Sequence, residues 1–304
     1  MGRFRHKSAL IILSSITAVV ALAQEPVFYG STKLVRLIVT VKDAGGQPIG
    51  TWEKGDFQVT DSGVPQTITV FEHHTEVPLS VSLLIDTSGS TGKDLGYEVD
   101  SLKKFIRALL REGNPEDAVA LYAFDSEVTE LATFTRREQR LRDALDRIKA
   151  SGGTSLFDAT YLAARRIERR DGRRVIVVVT DGGDTTSKEN FQSALRALQF
   201  SEAVVYPILV TPITNEPGRN LGGERVLAQF AEYSGGRVFE PTASNQLDRI
   251  FTEILRDLRT QYLLAYRPEN LPPELPAFHP LRVTVNRPEL KVSTRSGYYE
   301  DASK

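Results

Sequence analysis

Between residues 79 and 258, short runs of apolar residues alternate with segments of helical periodicity. The clearest apolar runs are Val81 to Ile85, Ala118 to Phe124 and Arg174 to Thr180. Runs of this length are typical of strands buried on both faces of a sheet. The intervening segments carry apolar residues at helical spacing, as from Leu95 to Leu110. This alternation predicts a Rossmann-like, doubly wound α/β fold, in which a mostly parallel sheet has helices on both faces.

Both flanks of this region are rich in β-branched residues and turn signals. Residues 24–78 form a predicted N-terminal β module, with strands at Leu34 to Lys42, Asp56 to Thr60 and Gln66 to Phe71. Residues 259–304 contain three more predicted strands, at Gln261 to Tyr266, Leu281 to Val285 and Lys291 to Thr294. Neither flank buries a good core alone, so we expect the two to pack together as one small β-sandwich-like module.

The first 23 residues have the composition of a secretory signal peptide. A basic N-terminus precedes an apolar stretch from Ala9 to Leu22. The stretch ends in Ala21-Leu22-Ala23, whose small outer residues predict cleavage after Ala23. An uncleaved membrane anchor is the alternative, although the apolar run is shorter than the ~20 residues of a spanning helix. We expect a secreted or periplasmic protein with no membrane span in the mature chain.

Cysteine is absent, and the charges nearly balance, with 38 Lys and Arg against 39 Asp and Glu. Without cysteine the chain has no disulfide framework, no thiol nucleophile and no cysteine-ligated zinc site. A net charge of −1 also lacks the basic excess that is typical of nucleic-acid-binding proteins. We therefore expect stability to depend on the hydrophobic core, and we expect no nucleic-acid partner.

Five oxygen-bearing side chains lie in three loops of the α/β region. The loop Asp86-Thr87-Ser88-Gly89-Ser90 follows the first apolar strand, Asp181 follows the third, and Thr154 lies in a glycine-rich turn before a helix. Ligands of open α/β sheets bind beyond the carboxyl ends of the strands, and these loops are expected to meet there. The residues predicted to surround one point are Asp86, Ser88, Ser90, Thr154 and Asp181.

These five residues offer only hard oxygen atoms, from two carboxylates and three hydroxyls. Such ligands suit Mg²⁺, and also Mn²⁺ or Ca²⁺, better than zinc or copper. Five candidate ligands leave at least one octahedral position open, and few of them are anionic, so the ion stays electrophilic. A carboxylate from another molecule can fill the open position. The pattern thus predicts a divalent-metal site that binds a carboxylate ligand.

The motif Asp86-x-Ser88-x-Ser90, with Thr154 and then Asp181 farther along, resembles the metal-ion-dependent adhesion site of the von Willebrand factor A family. The sequences Gly-Gly-Thr-Ser-Leu and Val-Val-Thr-Asp-Gly around the last two residues occur in the order of the family pattern. This resemblance covers residues 79–258 and implies an adhesion or envelope-interaction module.

The flanking segments carry a second resemblance. Asp56-Phe57 and the terminal Arg295-Ser296-Gly297-Tyr298-Tyr299 are similar to the von Willebrand factor A-related proteins common in acidobacteria. That resemblance implies export and a binding role.

Two other functions are compatible with the sequence. A metal-dependent hydrolase would use the same ion to activate water, but no His or Glu lies in the matched motifs to act as a base. A structural scaffold whose metal site stays empty is the other alternative. Binding without catalysis is our main hypothesis, so we expect that the chain is not an enzyme.

Polar residues near the motif also have simpler explanations. Ser88 and Ser90, each taken alone, are compatible with helix caps. The segment Ser155-Leu156-Phe157-Asp158 fits a capping box, which predicts a structural role for Asp158. Asp184 is compatible with a position behind the metal ligands or with a solvated one.

Two further predictions concern residues away from the motif. A second capping-box pattern, Thr135-Arg136-Arg137-Glu138, predicts a helix that continues through Ile148. The histidines show no metal-ligand spacing and are expected at the surface or in turns; they are His6, His73, His74 and His279.

Overall fold

The computed structural model of this chain describes residues 34–73, 77–89, 95–210, 220–272 and 274–299. The predicted signal peptide, the predicted ligand Ser90, and His6 and His74 lie outside these ranges. Across the described ranges, no helix is both long and apolar enough to cross a lipid bilayer.

The strands of the described residues follow in chain order: β1 (Val35–Lys42), β2 (Phe57–Asp61), β3 (Val64–Gln66), β4 (Val70–His73), β5 (Leu79–Asp86), β6 (Ala118–Phe124), β7 (Val128–Thr135), β8 (Arg173–Thr180), β9 (Val204–Leu209), β10 (Tyr262–Tyr266), β11 (Phe278–Val285), β12 (Lys291–Ser293) and β13 (Gly297–Tyr299). The α-helices are α1 (Leu95–Glu112), α2 (Glu138–Leu145), α3 (Leu156–Ile167), α4 (Phe191–Ser201), α5 (Leu221–Ser234) and α6 (Leu247–Arg259).

A five-stranded sheet of order β7-β6-β5-β8-β9 is the centre of the α/β domain. Its strands run parallel except for β7, which lies antiparallel to β6 at one edge. Strand β5 is buried along its whole length, as its uninterrupted apolar run predicts. Helices α1, α2 and α6 pack on one face of the sheet, and α3, α4 and α5 pack on the other. The predicted Rossmann-like fold is confirmed.

The predicted helix from Thr135 to Ile148 is wrong at both ends. Thr135 is the last residue of β7, and its hydroxyl accepts a hydrogen bond from the Arg137 N–H at 3.2 Å. Helix α2 begins only at Glu138 and ends at Leu145. The Glu138 carboxylate pairs with Arg107 and Arg111 of α1 instead of closing a capping box. A Thr side chain can bond to the backbone in a turn as readily as at a helix start, and here pairing with β6 extends the strand.

The two flanks of the α/β domain share two antiparallel sheets. One has the order β12-β1-β10-β4 and the other β13-β11-β2-β3. The pairing of β1 with β10, and of β2 with β11, joins strands from before and after the α/β domain. Apolar side chains of both sheets, among them Leu37, Val59 and Leu264, form one core. The α/β domain is therefore inserted, in sequence, between the two halves of this β module.

The single strand predicted from Gln66 to Phe71 is wrong, because the chain changes sheets there. Strand β3 ends at Gln66 and pairs with β2, whereas β4 begins at Val70 and pairs with β10. The Gln66 side chain bonds to both main-chain groups of Glu269, at 3.0 and 2.9 Å, and so holds the crossover. Two short strands separated by three residues have the same alternating pattern as one longer strand.

His279 is buried, so the predicted surface or turn position is wrong. It lies on β11 with 1% of its surface exposed, and its Nδ1 is 3.3 Å from Oδ1 of Asp61. The Asp61 carboxylate also accepts hydrogen bonds from the hydroxyls of Tyr266 and Tyr298, both at 2.7 Å. Strands β2, β10, β11 and β13 thus meet at one buried carboxylate. We call Asp61, Tyr266, His279 and Tyr298 the Asp61 cluster.

A buried ion pair joins the β module to the last helix of the α/β domain. Lys42 on β1 donates to Asp257 on α6 at 2.6 Å, and Arg237 donates to the same carboxylate at 3.1 Å. Burial lowers the pKa of Lys42, although the bond to Asp257 opposes that shift. Arg173 at the start of β8 donates to the Leu258 carbonyl at the end of α6. The carboxyl-terminal end of α6 is therefore held from both sides.

Candidate metal centre

Asp86 is the last residue of β5 and lies at the carboxyl edge of the parallel sheet. Its side chain is fully buried. Oδ1 accepts a hydrogen bond from the Ser88 N–H at 2.8 Å, and Oδ2 accepts one from the Thr180 hydroxyl at 2.6 Å. Both oxygens are therefore oriented by the protein, as an ion-binding carboxylate at this position requires.

Thr180 was not among the residues predicted from the sequence. It ends β8, and besides donating to Asp86 its hydroxyl accepts a hydrogen bond from the Gly182 N–H at 3.1 Å. One hydroxyl thus connects Asp86 to the turn that carries Asp181. The available signal was a polar residue at the end of the apolar run Val175 to Val179, directly before Asp181.

The charge on Asp86 is unfavourable in this position without a cation. Burial raises the pKa of the Asp86 carboxyl above its usual range, hydrogen bonds from Ser88 and Thr180 oppose this, and the nearby Asp181 raises it further. A buried carboxylate beside a second carboxylate favours either a proton or a cation. The electrostatics at this edge therefore suit a divalent ion.

Hydrogen bonds between main-chain groups join the Asp86 loop to the loop of Thr154. The Ser151 N–H donates to the Thr87 carbonyl at 2.7 Å, and the Gly89 N–H donates to the Gly152 carbonyl at 3.3 Å. Ser88 and Thr154 are both buried within this contact. The two loops thus form one surface at the edge of the sheet.

The Thr154 loop also contacts the loop that follows Asp181. The Thr154 N–H donates to the Thr185 hydroxyl at 2.8 Å, and its carbonyl accepts from the Thr185 and Thr186 N–H groups at 2.8 and 3.2 Å. None of these bonds uses the Thr154 hydroxyl. Asp181 itself is partly exposed at the end of β8. The described ligands Asp86, Ser88, Thr154 and Asp181 therefore lie in loops that touch one another, while their role as ligands stays a prediction.

Asp158 and Asp184 tie α3 to the Asp181 loop. The Ser155 side chain makes no capping bond, so the predicted capping box is wrong; its hydroxyl lies 2.9 Å from that of Thr186. Asp158 accepts from the N–H groups of Lys188 and Glu189, at distances between 2.7 and 3.1 Å. Asp184 accepts from the Phe157 N–H at 3.1 Å, in the first turn of α3. Both carboxylates hold this loop in place.

The donor set fits a hard divalent cation. Within the described ranges, no group of three or more carboxylates, histidines or cysteines is placed to hold a metal. An ion at this edge would therefore depend on the hydroxyl oxygens of Ser88 and Thr154 beside the carboxylates of Asp86 and Asp181. Hydroxyl and carboxylate oxygens suit Mg²⁺, Mn²⁺ and Ca²⁺.

Residues 81–184 match the family model of the von Willebrand factor type A domain. The sequence of residues 81–184 identifies this part of the α/β domain as von Willebrand factor type A. The match runs from within β5 to just past β8 and includes every predicted metal ligand. Domains of this type bind proteins, which indicates a protein-interaction or adhesion module. No curated protein sequence matches the chain.

Several solved structures are similar to this chain. The aerotolerance-related membrane protein from Bacteroides fragilis NCTC 9343 aligns over 59% of this chain and 98% of its own, with 21% identity and a TM-score of 0.46. The hypothetical protein BatB from Bacteroides thetaiotaomicron aligns over the same shares, with 20% identity and a TM-score of 0.46. The vWF domain of the pili tip protein Mfa5 from Porphyromonas gingivalis aligns over 59% of this chain and 96% of its own, with 14% identity and a TM-score of 0.46.

Proposed function

We propose that this protein is an exported, non-enzymatic binding module that recognises a protein partner through a divalent cation. The ion is Mg²⁺, or Mn²⁺ or Ca²⁺ in its place, and a partner's Asp or Glu carboxylate completes its coordination. The observation that carries the proposal is the buried Asp86 carboxylate, which is oriented by Ser88 and Thr180. The proposed ligands are Asp86, Ser88, Ser90, Thr154 and Asp181.

The chemistry of these ligands favours binding over catalysis. Two carboxylates balance the charge of a divalent ion, and the other proposed ligands are neutral hydroxyls, so an open coordination position is left that a carboxylate from outside the chain can fill. Both oxygens of Asp86 already accept hydrogen bonds at 2.6 and 2.8 Å, which suits a static ligand better than a group that exchanges protons. The ion would attract the partner's carboxylate, and the surrounding loops would orient that carboxylate.

Loss of the Asp86 charge is expected to weaken Mn²⁺ binding at least tenfold, which corresponds to about 1.4 kcal/mol. Asp86→Asn is the variant of choice because it keeps the side-chain volume of a buried residue. Titration calorimetry with Mg²⁺ and Mn²⁺ measures the effect, and circular dichroism checks the fold. Asp171→Ala, an exposed change on the loop before β8, serves as the control and should bind like the parent. Equal affinities for the parent and Asp86→Asn would exclude the proposed site.

Thr180→Val is expected to weaken Mn²⁺ binding by about 10-fold to 100-fold, because the hydroxyl that orients Asp86 is lost. Thr180→Ser restores that hydroxyl and should bind within a few-fold of the parent. The same calorimetric titration measures both variants. Similar losses of Mn²⁺ affinity in Thr180→Val and Thr180→Ser would mean that packing at position 180, and not the Thr180 hydroxyl, supports Mn²⁺ binding.

A further inference from the structure

The start of α5 lies directly against the loop of Asp181. A Cβ atom added to Gly223 would lie only 1.1 Å from the Gly182 carbonyl oxygen, so the two backbones are in contact. The Asn220 side chain caps the helix by accepting from the Gly223 N–H at 2.9 Å. Leu221, the first residue of α5, therefore lies close in sequence to the contact with the loop of Asp181.

Two large apolar side chains are exposed among the residues that the structure describes, and each lies in the first turn of a helix that follows a parallel strand. Leu221 is 65% exposed and Tyr97 is 38% exposed. Tyr97 lies in the first turn of α1, the helix that follows the Asp86 loop. Single exposed apolar residues are ordinary, but two beside the proposed metal centre favour contact with the ligand that would complete it.

The loops around this edge also carry an excess of negative charge. Described carboxylates outnumber the basic side chains there, which belong to Arg147, Lys149, Lys188 and Arg225; the carboxylates belong to Asp125, Glu127, Asp158, Asp184, Glu189 and Glu224. We call the six listed carboxylates the acidic rim. It repels a carboxylate that approaches without cationic neighbours.

We propose that the partner presents its carboxylate on a peptide segment whose neighbouring side chains are apolar and basic. This inference rests on the proposed function. The ion binds the carboxylate, Leu221 and Tyr97 contact the apolar neighbours, and the acidic rim attracts the basic ones. A carboxylate within an acidic segment is repelled by the acidic rim, and one within a purely polar segment gains no apolar contact. The acidic rim, Leu221 and Tyr97 therefore determine which carboxylate-bearing segments bind.

Short synthetic peptides with one central Asp test this specificity. The probes are capped Lys-Leu-Asp-Leu-Lys, Lys-Ser-Asp-Ser-Lys and Glu-Leu-Asp-Leu-Glu, labelled for fluorescence anisotropy and titrated with the whole protein in saturating Mn²⁺. The first peptide is expected to bind at least tenfold tighter than the other two, and chelator should abolish its binding. Equal binding of all three peptides, or no binding of any, would overturn the inference.

Matched variants assign the preference to the named residues. Leu221→Ser should remove most of the preference for leucine over serine in the peptide, whereas Ala228→Ser, exposed on the same helix, should leave it unchanged. Glu127→Lys, just after β6, should weaken the binding of Lys-Leu-Asp-Leu-Lys at least threefold. Glu116→Lys, before β6 at the opposite edge of the sheet, should leave that binding unchanged. A preference that survives Leu221→Ser contradicts the assignment.

Mn²⁺ affinity, measured separately, distinguishes this inference from the proposed function. Leu221→Ser and Glu127→Lys are expected to retain Mn²⁺ binding within a few-fold of the parent. If Mn²⁺ binds through Asp86 and the peptides bind equally, only the specificity inference fails. If Mn²⁺ does not bind the parent protein, both fail.

Discussion

Replacing Asp61 by alanine is expected to destabilise the folded protein by about 4 kcal/mol, in the range found when one partner of a buried polar network is removed. The carboxylate is completely buried and accepts hydrogen bonds from Tyr266 and Tyr298, with His279 Nδ1 3.3 Å away. Without it, the hydroxyls of the buried Tyr266 and the partly buried Tyr298 lose this acceptor, and four strands lose their shared contact. Urea unfolding followed by the fluorescence of Trp52, the sole tryptophan, measures the loss within the β module.

Two controls separate the network from general sensitivity to substitution. Tyr298→Phe removes one hydrogen bond to Asp61 and should cost about 1 kcal/mol. Asp171→Ala, which is exposed, should change stability by less than about 0.5 kcal/mol. A loss of less than about 1 kcal/mol for Asp61→Ala would mean that the cluster contributes little to the β module.

Gly223→Ala is expected to cost about 3 kcal/mol, at the upper end of what overpacking usually costs. The new Cβ would lie 1.1 Å from the Gly182 carbonyl oxygen, and because the obstacle is backbone, α5 or the Asp181 loop must move. The same displacement should weaken Mn²⁺ binding, since Asp181 directly precedes Gly182. Thermal or urea unfolding measures the first effect and calorimetry measures the second.

The neighbouring residue provides the matched control for this prediction. A Cβ atom on Gly222 would meet only the Asn220 side-chain oxygen, at 3.3 Å. Alanine favours a helix over glycine by up to about 1 kcal/mol, so Gly222→Ala should be neutral or stabilising. Equal destabilisation by the two substitutions would contradict the contact between α5 and the Asp181 loop.

Sequence periodicity predicted the α/β domain well because each buried strand, such as Val81 to Ile85, is a continuous apolar run. It also placed the loops of Asp86, Thr154 and Asp181 at one edge, since the carboxyl ends of parallel strands lie together. Local patterns predicted less. Thr135 and Ser155 both begin apparent capping boxes, but their hydroxyls bond to other groups, because a side-chain pattern does not specify which local backbone it serves.

Contacts between distant segments could not be predicted. His279 carries no local sign of burial, since its partner Asp61 is 218 residues away. No local pattern predicts the role of Thr180 either, because its hydrogen bond to Asp86 spans 94 residues and depends on the pairing of β5 with β8. The local sequence around Gln66 predicts one continuous strand. The crossover there depends on the bonds of Gln66 to Glu269, which form only when the two flanks pack together.

The most direct test of the proposed metal centre is a crystal structure of the protein soaked in Mn²⁺, with an anomalous difference map collected for manganese. We predict one strong peak at the carboxyl edge of the parallel sheet, within direct or water-mediated reach of Asp86, Ser88, Ser90, Thr154 and Asp181. A map at saturating Mn²⁺ with no peak at this edge, or with its main peak elsewhere, would contradict the account.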